Sequence, residues 1–151
     1  MSHNPYAEAS EGRVWSARPE ELILLLYGEA RRSIEEARRS FRAGDLPGRT
    51  RWLGRGAQAV CELVTALNHE QGGDIASRLA QLYEFVLDRL QTGATAADCQ
   101  PLDDADRVLE ILESAWKDLV ANLLAERTSQ WASTTNAFGP EEGDPALARV
   151  G

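Results

Sequence analysis

The chain has 151 residues, 43% of them hydrophobic, which is enough for one domain with its own core. Its net charge of −8 excludes a nucleic-acid partner gripped through a basic face. No charged start leads into an apolar run, and the longest apolar stretch, Leu22 to Tyr27, is too short to span a bilayer, so we expect a cytoplasmic protein with no membrane insertion.

Residues 1–18 carry no helical stripe and read as an extended N-terminal segment. The first helix is expected from Pro19 to about Ala43. Proline suits the first helical position, and Glu20 and Glu21 favour the positive end of the helix dipole. Leu22, Leu26, Ala30, Ile34, Ala37 and Phe41 make its apolar face, Glu35 is spaced to pair with Arg38 and Arg39, and Gly44 stops it. Leu22 to Tyr27 is apolar nearly all round, so this stretch either sits centrally among the other helices or lines a groove. An N-terminal segment bearing Tyr6 or Trp15 could cover such a groove, a tyrosine offering an apolar ring with a polar tip.

The second helix starts at Asp45 as N-cap, with Pro47 just inside, and shows the stripe Leu53, Ala57, Val60, Val64, Leu67. Gly48, Gly54 and Gly56 weaken its first half, each by up to about 1 kcal/mol against alanine, unless they admit a close neighbour, which is what we expect. Gly72 and Gly73 then make a tight turn, with Asp74 capping the third helix, Asp74 to about Leu90. Ile75, Leu79, Leu82, Val86 and Leu90 form its stripe, with Tyr83 and Leu87 beside it. The fourth helix follows Pro101, with Val108, Leu112, Ala115, Leu119 and Leu123 as its stripe. Eight acids against three bases between Asp98 and Arg127 read as a solvated face. Residues 128–151 mix small polar residues with Trp131 and Phe138 and read as a disordered tail. The fold class is thus all-α: an antiparallel up-down four-helix bundle over residues 19–127.

Catalytic and metal chemistry find no residues to work with, and no cofactor is expected. A di-iron bundle needs inward carboxylates and two Glu-x-x-His elements, whereas only His3 and His69 exist and no acid falls cleanly on a core stripe. Cys61 and Cys99 have neither zinc nor disulfide spacing and read as free thiols. No Ser/His/Asp or Cys/His set can be built, so the chain is expected not to be an enzyme.

Four stretches carry a resemblance. Asn4-Pro5-Tyr6, the apolar run ending in Leu26-Tyr27, the turn Asn68-His69-Glu70-Gln71-Gly72-Gly73, and Leu79-Ala80-Gln81-Leu82-Tyr83 occur in order and in register. Together the chain resembles the flagellar secretion chaperones of the FliS type, from about Asn4 to Leu90 and more loosely to Leu124. The resemblance implies a helical bundle that binds the disordered C-terminal region of flagellin, prevents premature polymerisation and assists delivery to the flagellar export apparatus. It places the partner-binding candidates at Tyr6, Leu26, Tyr27, Leu67, Asn68, Gln71, Ile75, Leu79, Leu82 and Tyr83. Departures from the pattern are Ala9 in place of a second tyrosine, Arg18 before Pro19 and Gly28-Glu29 after Tyr27. On the residues alone, a generic helical adaptor or a bundle self-associating through the same apolar groove is the alternative.

Overall fold

The computed structural model describes residues 19–138, all helical but for the connections. The expectations for Tyr6, Trp15, the N-terminal segment and residues 139–151 lie outside the described residues. Four helices follow one another: α1 Pro19–Arg42, α2 Leu46–Thr65, α3 His69–Gly93 and α4 Gln100–Phe138. The bundle is all-α, with no strand among the described residues. The chain forms two compact units, Met1–Trp116, which contains the bundle core, and Lys117–Gly151, into which α4 continues. The last helix thus runs eleven residues past Arg127, where the composition suggests a tail.

The connections follow from local chemistry. At the end of α1 the amide of Asp45 donates to Ser40 and that of Gly44 to Phe41, a Schellman closure. Asp45 then caps α2, its carboxylate accepting from the Gly48 amide at 2.9 Å. Helix α4 opens with the Gln100 amide donating to the Asp98 carboxylate at 3.0 Å.

Three sets of contacts fix the helix directions. Gly56 of α2 faces Ala30 and Ser33 of α1, and Arg49 lies over Phe41, so α1 and α2 run antiparallel. Arg38 pairs with Asp103, Arg31 with Asp106 and Glu113, and the Trp116 indole donates to the Glu20 carbonyl at 2.8 Å, so α4 also runs antiparallel to α1. Gly56 is near Leu90 and the Arg49 guanidinium donates to the Ala96 carbonyl, which sets α3 antiparallel to α2. A Cβ at Gly56 would come 3.4 Å from the Ser33 Cβ, so the closest approach of α1 and α2 rests on small residues, as expected of this glycine. Gly54 faces open space and takes no part.

The core draws on all four helices: Leu26, Ala30 and Ile34 of α1; Leu53, Val60 and Leu63 of α2; Tyr83, Val86 and Leu90 of α3; Leu102, Ala105 and Leu109 of α4. Three stripes are turned from their expected phase. In α2, Gly56, Ala59 and Leu63 are buried while Ala57 and Val64 are half-buried, because the small residues bring that edge against α1. In α3 the buried row is Ala76, Tyr83, Val86 and Leu90, and Ile75 and Leu82 are exposed. In α4, Leu109 and Glu113 are buried and Ala115 and Leu119 exposed, because Arg31 draws the Asp106–Glu113 row onto α1. Glu113 corrects the expectation that no acid reaches the core: it is 9% exposed, and the Arg31 guanidinium 2.9 Å away balances its charge.

Candidate partner-binding surface

The residues singled out in the sequence separate into two groups. Leu26, Tyr27 and Tyr83 belong to the core, at 8%, 2% and 2% exposure. The Tyr27 and Tyr83 hydroxyls share a hydrogen bond of 2.6 Å between α1 and α3, with ring centroids 6.4 Å apart. Burial pushes both phenols above their ordinary pKa, Tyr27 strongly; the shared bond pushes Tyr27 further up and draws Tyr83 partly back. Both therefore stay neutral, and each supplies the partner the other needs inside an apolar site. In this state of the chain they cannot touch a partner directly. The sequence does not distinguish a tyrosine that holds two helices together from one that greets a ligand.

The second group gathers at the start of α3. The cap is Asn68 rather than Asp74: its side chain accepts from the Gln71 amide at 3.0 Å and its carbonyl from the Gly72 amide at 2.8 Å. One helical turn, His69 to Gly72, precedes a kink at Gly73, where φ is 50° and ψ is −123°. Only glycine takes that conformation readily. The expected break at the double glycine is therefore present, made by Gly73 alone: it separates the short turn 69–72 from the long helical stretch that begins at Asp74. Gln71 is exposed, and Leu67 and Leu79 are half-buried against the core.

Beyond the kink, three large apolar side chains face outward. Ile75 is 69% exposed, Leu82 39% and Phe85 43%. Spacings of seven and three residues place them on one face of α3, with Leu79 between them at the core edge. Phe85 carries the guanidinium of Arg89 over its ring at 5.8 Å. Phe85 was missed as a candidate although it follows the quoted Leu-Tyr pattern; the signal was its three-residue offset from Leu82. Leu67, Asn68, Gln71, Ile75, Leu79 and Leu82 thus run from the turn before α3 to its middle, whereas Leu26, Tyr27 and Tyr83 lie in the core.

An apolar row beside a capped, kinked turn can bind an amphipathic segment, and among the described residues no group of acids, histidines and cysteines could hold a metal. No helix among them is long and apolar enough to cross a membrane. Comparison with known proteins now decides the lineage. Residues 2–123 match the family described as Flagellar protein FliS. The chain belongs to the FliS family. Its relatives include the flagellar secretion chaperone FliS of Salmonella typhimurium, 30% identical over 76% of this chain and 86% of that protein. FliS of Vibrio cholerae is 27% identical over 72% of this chain and 80% of its own length. FliSB of Pseudomonas aeruginosa is 30% identical over 70% and 84%. The FliS match ends at Leu123, so the last fifteen residues of α4, 124–138, extend beyond it.

Proposed function

We propose that this FliS-family chain is a non-enzymatic export chaperone that binds the disordered C-terminal region of flagellin in the cytoplasm. It keeps subunits from polymerising early and presents them to the flagellar export apparatus. The observation that carries this reading is the outward row Ile75, Leu82 and Phe85 on the helix that opens with the family's turn. A monomer with no use for that row gains nothing by holding it in water. A flagellin segment folding into an amphipathic helix would cover it, and the apolar area buried must exceed the entropy lost on ordering. Leu67, Leu79 and Gln71 would flank the bound helix, Asn68 would hold the turn, and Tyr6 would cover the row in the empty chaperone. Leu26, Tyr27 and Tyr83 serve this site from the core, by fixing α1 against α3.

Calorimetry with a peptide from the flagellin C-terminus tests it. One-to-one binding is expected, with a negative heat-capacity change and a gain in helical circular dichroism. Ile75→Asp and Leu82→Asp should each weaken binding by at least about tenfold, the scale of losing an anchor side chain, with the melting temperature unchanged. No heat with full-length flagellin monomer at several temperatures would sink the proposal. A chain that dimerises alone, and is made monomeric by the same substitutions, would favour self-association.

A further inference from the structure

A second surface lies on α1 and α2, apart from the α3 row. Residues 29–55 hold eight arginines against four acids, a local charge of +4 in a chain of −8. Arg31 and Arg38 are spent internally on the acids of α4. Arg32 and Arg39 of α1, and Arg51 and Arg55 of α2, are exposed. The half-buried Trp52 ties the two rows to one side of the bundle. Its ring has the guanidinium of Arg32 at 5.5 Å and that of Arg55 at 4.8 Å. Arg32 stands 3.7 Å from Glu29 and Arg39 3.2 Å from Glu36, but Arg51 and Arg55 meet no carboxylate among the described residues.

We infer that this outer α1–α2 face is a docking surface for an acidic segment of a protein partner, distinct from the flagellin site. A guanidinium held over an indole by cation–π attraction keeps its N–H groups for bidentate bonds to carboxylates. Fixing them on Trp52 reduces the entropy lost when those bonds form. The partner is a peptide segment rather than a membrane because the rest of the chain sums to −12. A flat anionic surface would feel that charge as well as the arginines, whereas a segment can address one face within a Debye length of about 10 Å at 0.1 M salt. Trp52, half-buried and with two guanidiniums over its ring, is poorly placed to insert among lipids.

The test is a nuclear magnetic resonance titration of the full chain with a glutamate-rich synthetic peptide. The Trp52 indole and the side chains of Arg32, Arg51 and Arg55 should shift together, and binding should weaken as salt is raised. The double variant Arg51→Glu, Arg55→Glu should lose at least about tenfold in affinity, while Arg78→Glu, an exposed arginine of α3, loses little. If Arg55→Glu loosens Trp52, Arg51→Glu alone keeps the test open, with a loss of about threefold expected. Flagellin-peptide binding should be unaffected by the Arg51 and Arg55 changes, which separates failure here from failure of the chaperone proposal. Shifts spread over the whole surface, an equal loss in Arg78→Glu, or tighter binding to phosphatidylglycerol vesicles than to the peptide would each overturn the inference.

Discussion

Tyr27 and Tyr83 show how one bond can serve two helices. Each hydroxyl alone would be a buried polar group with a desolvation penalty of about 1 to 3 kcal/mol; together they satisfy one another at 2.6 Å. Burial raises both phenol pKa values above the ordinary value of about 10. The consequence for stability has a definite sign. Below about pH 10 both folded and unfolded chains keep these protons, and the contribution of the pair is intact. Above it the unfolded chain releases them while the folded chain does not, so stability falls as pH rises. Urea denaturation at neutral pH and near pH 11 should show that fall. The double variant Tyr27→Phe, Tyr83→Phe should flatten it, because it removes both buried phenols. An equal slope in the double variant would mean that other groups govern the alkaline limit.

At the scale of the element, α3 turns on Gly73. A side chain at φ 50° and ψ −123° lies outside the left-handed helical well that asparagine tolerates. Gly73→Ala should therefore cost about 1 to 3 kcal/mol in urea denaturation, and Gly73→Asn should not recover it. Unchanged stability in Gly73→Ala would show that the helix can straighten without penalty. Gly73 also marks where sequence reading succeeded and where it failed. Helix number, order and most ends were legible, because the caps and stops at Pro19, Gly44 and Asp45 are local chemistry. So was the break at the double glycine, which Gly73 alone makes; the extra turn before it was not. Asn68 and Asp74 are both good caps in sequence, and only packing decides that the turn 69–72 is helical and Asn68 its cap. Phase was the other loss. Ile75 and Ala76 are neighbours, and hydrophobicity favours the larger. The rotation of α3 that joins Tyr83 to Tyr27 buries Ala76, close to Gly72, and leaves Ile75 exposed. The same rotation turned Ile75 and Leu82 outward, which converts a core stripe in the sequence into the candidate surface in the fold.

Across the whole bundle, α1 meets its two antiparallel neighbours by different physics. Against α2 it relies on small residues and close approach, at Ala30, Ser33 and Gly56. Against α4 it relies on charge. Arg31 donates to Asp106 and to Glu113, both at 2.9 Å, and Arg38 joins Asp103 at 2.9 Å and Asp106 at 3.6 Å. The hydrogen bond to Asp106 leads in raising the Arg31 pKa against the opposing effect of burial. For Arg38 burial again opposes, and Glu35, Asp106 and Asp103 together prevail. The two arginines should nevertheless differ in weight. The Arg31 partners are 17% and 11% exposed, whereas Asp103 and Glu35 beside Arg38 are 50% and 44% exposed and more strongly screened by water. Arg31→Met should cost about 2 kcal/mol, because it takes the nearest cation from two largely buried carboxylates, of which Asp106 keeps Arg38 at 3.6 Å; Arg38→Met should cost about 1 kcal/mol or less. The penalty comes from carboxylates left less well compensated, so removing them as well should recover most of it. The triple variant Arg31→Met, Asp106→Leu, Glu113→Met is expected to melt close to the native temperature, since a packed apolar contact commonly equals a buried ion pair. What that variant should lose is the fixed register of α4 on α1, seen as broadened resonances along α4. Recovery of stability with sharp resonances would show that packing alone sets the register, and that the charged row serves only to neutralise itself.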